Sequence, residues 1–213
     1  GVQRHAAVWT ADCSSTWDHL RVTVPMLLNL GMSGIPFVGS DIGGFFKDCN
    51  PELFTRWLEM AVFTPFCRDH TCDGTADQEP WAFGPEVETI SRRFVNWRYQ
   101  LLPYFYDLVL EATITGTPVV RPLILEFPND ERCSAVEDEF LLGASLLIAP
   151  VLSETAGERE VYLPAGEWID QRTLQLHKGP ATIRVSAPLG ECPTFAHVGS
   201  IIPLQPFVQH TGE

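Results

Sequence analysis

Hydrophobic and polar positions change period about halfway along the chain. In the first half, short apolar runs of strand length alternate with stretches that repeat every three to four residues. The run Val8-Trp9-Thr10-Ala11-Asp12 rises through apolar residues and stops on a carboxylate. Over residues 17–30, Trp17, Leu20, Val24, Leu27 and Leu28 keep helical step, with Ser15 or Thr16 placed to cap and Gly31 to stop. Asp18 suits the positive end of that helix, and Pro25 predicts a kink or a boundary inside it. A second strand is predicted over residues 35–38, leading to Asp41 and the turn Ile42-Gly43-Gly44-Phe45. Asn50, Pro51 and Glu52 open the next helix, whose inner face is Leu53, Trp57, Met60 and Ala61. A third run from Phe63 ends on Arg68, Asp69 and His70.

A loop then spans residues 71–84, long enough to suggest a functional rather than an idle connection. Beyond it a long helix is predicted from Pro85, with Ile90, Phe94, Trp97, Leu101, Leu108 and Ala112 in phase, Pro103 as an interior kink and Gly116 as the stop. After Gly116 the period shortens. Strand-like runs are predicted at residues 119–120, 123–127, 145–152, 160–163, 182–185 and 201–202, punctuated by Pro and Gly, with one short helical stretch over 135–142. The expected architecture is α/β followed by all-β, with βα repeats over residues 1–120 and a β-sandwich over residues 121–213.

Three successive strand ends each carry ionisable groups, and an α/β fold aims such groups into one pocket. The chemistry at each tip stays open on residue type alone. Asp12 is a proton-transferring carboxyl or a helix cap. Asp41 and His70 bind hydroxyls, or His70 is a core histidine satisfied by backbone. Arg68 orients a carboxylate or touches ligand. Trp9 offers a stacking face or plain packing, and Phe45 is a candidate pocket wall. The glycines after Asp41 fit neither a phosphate loop nor a dinucleotide fingerprint. His5, His19 and Asp12 could be drawn as a metal set, but no metalloprotease spacing supports it, so no metal and no cofactor are expected.

Composition narrows the partners. The 213 residues are 45% hydrophobic and 19% charged, which suits a folded globular chain. The net charge of −13 argues against nucleic acid as a partner. No apolar run reaches the roughly 18 residues needed to cross a bilayer, so no membrane partner is expected either. Six cysteines without a C-x-x-C pair predict small buried thiols in a reducing compartment, and hence a cytoplasmic location. The chain opens at Gly1 without a methionine and runs straight toward the first strand, so a missing N-terminal part of the same protein is expected to complete it.

Taken in order, several segments resemble glycoside hydrolase family 31, the α-glucosidase and α-xylosidase family. They are Trp9-Thr10-Ala11-Asp12, Gly39-Ser40-Asp41-Ile42-Gly43-Gly44-Phe45, Phe66-Cys67-Arg68-Asp69-His70 and Glu79-Pro80-Trp81, followed by Arg98-Tyr99-Gln100-Leu101-Leu102-Pro103-Tyr104 and Arg121-Pro122-Leu123. The resemblance implies the last strands and helices of a (β/α)8 TIM barrel followed by the proximal C-terminal β-sandwich. It implies a retaining exo-acting α-glycosidase, with α-glucosidase favoured and α-xylosidase as the alternative, acting on an oligosaccharide or α-glucoside. Asp12 would be the general acid/base, and the nucleophilic carboxylate would lie upstream. A carbohydrate-binding protein without catalysis and a metal-dependent α/β hydrolase are the competing readings. Ala11 stands where the family usually has glycine, adding one methyl at the strand end. Cys13 stands where the family often has a polar residue.

Overall fold

The computed structural model describes residues 1–211. Its first half is β1 (Val8–Trp9), α1 (Trp17–Met32), β2 (Val38–Ile42), α2 (Pro51–Ala61), β3 (Phe66–Asp69), α3 (Pro85–Gln100) and α4 (Leu102–Thr115). The three strands form a parallel sheet in the order β1-β2-β3, with Val8 opposite Val38 and Asp41 opposite Arg68. Strand order follows chain order with no reversal, as in a stretch of barrel wall. Thr16 caps α1 by accepting from the His19 amide, and Asn50 caps α2 by accepting from the Leu53 amide. Pro25 neither ends nor divides α1, which continues past Gly31 to Met32. The predicted single long helix is instead two, broken at Leu101 with Pro103 in the first turn of α4. That position needs no amide donor, so proline sets the break rather than a kink.

The second half is β4 (Val120–Arg121), α5 (Leu123–Glu126), β5 (Phe140–Leu142), β6 (Leu146–Ile148), β7 (Glu158–Asp170), β8 (Leu176–Ser186) and β9 (Thr194–His197). They form an antiparallel sheet in the order β4-β5-β6-β9-β7-β8. Residue alternation gives β5 and β6 two buried faces, whereas β8 has no fully buried residue. Phe140, Leu142, Leu146 and Ile148 join the core of the helical half, while Leu141 and Leu147 join Val161, Leu163, Trp168 and Phe195 in a second core. The register of β7 against β8 slips between Leu163 and Gly166, where a bulge bends the hairpin. β4 to β9 thus belong to one antiparallel sheet.

Three local expectations fail in this half. Residues 123–127 form the short helix α5 rather than a strand, because Pro122 fixes an extended start and Phe127 already caps the turn. The helical turn lies earlier, at Glu131–Ala135, and residues 135–142 lead instead into β5, since Phe140-Leu141-Leu142 is apolar on both faces. Residues 201–202 lie outside any strand.

The halves are joined by polar side chains buried between them. Arg56 of α2 donates to the carbonyls of Ala156 (2.9 Å) and Ala187 (2.8 Å), and more weakly to Pro188 and Glu191. Glu59 accepts from Arg56 at 3.0 Å and from the Gly190 amide at 2.7 Å. Both terminal nitrogens of this buried guanidinium are thus paired, and its Nε alone lacks a partner among the described residues. At the other junction Arg121 ties Glu111 of α4 to Glu126 of α5. Among the described residues, no helix is long and apolar enough to cross a membrane.

Two outcomes follow. The three-stranded sheet leaves β1 and β3 as open edges, so residues 1–213 expressed alone are expected to self-associate and to hydrolyse nothing. A monodisperse monomer that melts cooperatively would contradict this. The second concerns Glu139, whose Oε1 accepts from the Tyr162 amide while Oε2 is buried without a partner. Burial, opposed by Arg159, pushes this carboxyl from 4.5 up to about 8. The folded state then keeps a proton the unfolded chain releases, so stability falls as pH rises through that interval and stays low above it. Glu139→Gln is expected to remove the dependence, so its melting advantage over wild type should grow from pH 5 to pH 8, and equal differences at both would refute it.

Candidate active site

Gly39, the second residue of β2, has no room for a side chain: a Cβ there would lie 1.8 Å from the Phe66 carbonyl oxygen. This close approach of β2 to β3 sets Asp41 opposite Arg68. The second strand lies later than residues 35–38, so Asp41 is a fully buried residue within β2 rather than a residue after it. Its Oδ1 accepts from Arg68 Nε at 2.8 Å and also from Nη2. Its Oδ2 is buried with no protein hydrogen-bond partner. Burial pushes the Asp41 carboxyl above its ordinary range, and the Arg68 guanidinium opposes that push. Arg68 in turn lies between two rings, with its Cζ 5.1 Å from the centre of Trp9 and 5.2 Å from that of Phe66. Trp9 and Arg68 both keep part of their surface in solvent.

The loops after β1 and β2 are joined through backbone. The Cys13 carbonyl accepts from the amides of Phe45 (2.7 Å) and Phe46 (2.9 Å), and Phe46 returns its carbonyl to the Ser15 amide. Gly44 makes the approach possible: its φ is +94°, and a Cβ would fall 2.6 Å from the Ser15 nitrogen. The Phe45 ring lies beside the His70 ring, with centroids 5.2 Å apart. Asp12 sits on the first of these loops, exposed and, among the described residues, without a protein hydrogen bond, and its negative charge reaches Asp41. Arg68 thus touches both Asp41 and Trp9, Phe45 and His70 form a second contact, and the Cys13–Phe45 backbone bond joins the Asp12 loop to Phe45.

Sequence reading missed Gln78. It is buried on the long loop after β3, where its Nε2 reaches the carbonyls of Ile42 (2.7 Å) and Gly44 (3.2 Å) and Asp69 Oδ1 (3.3 Å). A lone polar residue in a polar loop carries no burial signal; only its place before Glu79-Pro80-Trp81 marked it. Asp69 keeps an exposed edge, yet desolvation of its carboxylate by the surrounding loops, with Glu79 and Asp41 nearby, pushes it up to about 6. His19 is engaged locally, its Nδ1 accepting from the Ser14 amide at 2.9 Å. Trp57, assigned to packing, is fully buried and also donates through Nε1 to Ser40 Oγ at 2.9 Å.

The two departures noted around Asp12 have different consequences. Cys13 contributes through its carbonyl, which any residue supplies. Ala11 has φ +59°, in the left-handed region where a Cβ is strained.

Residues 1–108 match the glycosyl hydrolases family 31 TIM-barrel domain, and residues 116–202 match the glycosyl hydrolase family 31 C-terminal domain. The chain is 46% identical over 204 residues to Alpha-glucosidase 2 of Bacillus thermoamyloliquefaciens, covering 96% of this chain and 26% of the relative. It is 41% identical to human Neutral alpha-glucosidase AB, covering all of this chain and 23% of that protein. Among solved structures, a Flavobacterium johnsoniae GH31 dextranase complexed with glucose superposes with a TM-score of 0.94 at 41% identity, covering 98% of this chain and 27% of that one. A GH31 α-xylosidase from a soil metagenome complexed with xylose gives 0.86 at 33% identity, over 91% of this chain and 32% of that one. The chain belongs to glycoside hydrolase family 31. It spans about a quarter of the length of the curated relatives it matches.

Ala11→Gly is expected to stabilise slightly: the relieved left-handed strain of about 1–2 kcal/mol exceeds the roughly 0.4–1 kcal/mol of added unfolded-chain entropy. Ala11→Val should destabilise. Denaturant midpoints of the two variants check this, and a reversed order would refute the strain.

Proposed function

We propose that this chain forms part of a retaining, exo-acting α-glycosidase of the α-glucosidase type, acting without a cofactor on terminal non-reducing α-linked glucose. The observation that carries the reading is the Asp41 carboxylate. One of its oxygens is occupied by Arg68, and the other is buried with no protein donor. Buried acceptors are rarely left unmatched. A sugar hydroxyl supplies such a donor, and Trp9, which packs on the same Arg68, supplies a face for the apolar C–H side of a pyranose. His70, close to Phe45, adds a group that can donate or accept.

In this reading Asp12 is the general acid/base. A carboxylate outside this chain attacks the anomeric carbon while Asp12 gives its proton to the departing glycosidic oxygen, leaving a glycosyl-enzyme and a free aglycone. Asp12, now ionised, takes a proton from water as that water attacks the same carbon, releasing glucose and restoring both carboxyls. Its solvent-facing loop suits a group that meets the aglycone oxygen first and water afterwards. Glucose rather than xylose is favoured by the relatives named as α-glucosidases at 46% and 41% identity, against 33% for the α-xylosidase.

In the complete protein, Asp12→Asn should lower kcat/KM for aryl α-glucosides with poor leaving groups by about 10²–10⁴-fold. Activated leaving groups, which need little protonation, should lose less. Normal activity in that variant would overturn the role of Asp12, and wild-type protein that binds glucose yet hydrolyses no α-glucoside would support a binding module instead.

A further inference from the structure

Ser40 and Asp41 are neighbours on β2 and project to opposite faces of the sheet. Asp41 meets Arg68, while Ser40 Oγ accepts from Trp57 Nε1 of α2 at 2.9 Å in a fully buried contact. The helix that carries Trp57 is held from its other side. Glu52 accepts from the Thr155 amide at 2.7 Å, Arg56 reaches four carbonyls of the sandwich, and Glu59 accepts from the Gly190 amide. Residues 52, 56 and 59 share one helical stripe, and residues 53, 57 and 60 lie on the adjoining one. α2 is thus clamped on one stripe and hydrogen-bonded to the strand of Asp41 through the next.

We infer that Ser40 and Trp57 are positioning residues for Asp41, and that α2 is the strut by which the sandwich steadies the sugar-binding carboxylate. Three features give the contact this role. Among the described residues, the Trp57–Ser40 bond is the one side-chain hydrogen bond from α2 to β2. It acts at the residue before Asp41, so a rotation of the strand that loosened it would move the carboxylate the opposite way. The Asp41–Arg68 pair engages only the other face of the strand, and Arg68 keeps a third of its side chain in solvent. The inference rests on the reading of Asp41 as a sugar-hydroxyl acceptor.

The experiment uses the complete protein with an aryl α-glucoside as substrate and glucose as competitive inhibitor. Ser40→Ala and Trp57→Phe each remove one partner of the bond, and the first leaves the indole in place, so the test survives if the second fails to fold. Each is expected to raise KM and the glucose inhibition constant about 3- to 10-fold, the range of one hydrogen bond, with kcat little changed. The double variant should lose no more than the worse single one. A role limited to stability would lower the melting temperature and leave the inhibition constant as it was. Folded Ser40→Ala with wild-type KM and inhibition constant overturns the inference. Asp41→Asn separates the two levels: if it too leaves glucose inhibition unchanged, the reading of Asp41 fails, whereas a large rise there beside an inert Ser40→Ala rejects only the strut.

Discussion

A carboxylate buried within a strand is the constraint on which the described site depends. Removing Asp41 from water costs several kcal/mol unless a cation and donors replace the lost solvent. The replacement is Arg68, one strand over and in register. That requirement accounts for much of the surrounding detail. The strands must approach closely enough for the pair to meet, and Gly39 against the Phe66 carbonyl is where they do. The guanidinium must be held over Asp41, and Trp9 and Phe66 hold it. Apolar packing and backbone pairing set where the sheet lies, and this ion pair fixes which oxygen of Asp41 faces Arg68.

The first half of the fold was legible because its signals are local. Capping at Thr16 and Asn50, the Pro51 start and the apolar stripe of α2 each follow from a few adjacent residues. The clustering of Trp9, Asp41 and Arg68 was legible too, since successive parallel strands bring their ends to one side. Failures concentrate where local and tertiary preferences part. Leu123-Ile124-Leu125 reads as a strand by composition, yet follows a proline and has no neighbour to pair with, so it closes on itself as one turn. Residues 135–142 have helical residue types, but Phe140 and Leu142 pack against one core and Leu141 against the other, which only a strand between two layers can satisfy.

What sequence could not reveal is polar burial. Arg56 and Glu59 three residues apart on a helix look like a solvent-exposed pair. Both are buried because the sandwich covers the outer side of α2, and a chain read in one dimension gives no sign of that cover. Gln78 is hidden in the same way, its amide satisfied by two carbonyls and a carboxylate from segments 9 to 36 residues away. Trp57 was correctly read as buried, but its N–H was overlooked; a buried indole needs an acceptor, and that need alone pointed to a polar partner on a neighbouring strand.

The contrast between Asp12 and Asp41 is the final step. The two carboxyls lie near enough for their charges to interact, yet their settings differ in every respect that chemistry uses. Asp41 is enclosed, fixed by a guanidinium on one oxygen and presented through the other, which suits holding one hydroxyl in one orientation. Asp12 stands on a loop after a strained residue, open to solvent and tied to no cation among the described residues, which suits a group that must hand over a proton and then collect another. A guanidinium on Asp12 would oppose protonation, and an open, unpaired Asp41 would let a sugar ring turn. In the proposed function, a division of labour between the two carboxyls would follow from which one the strand buries and which one the loop carries outward.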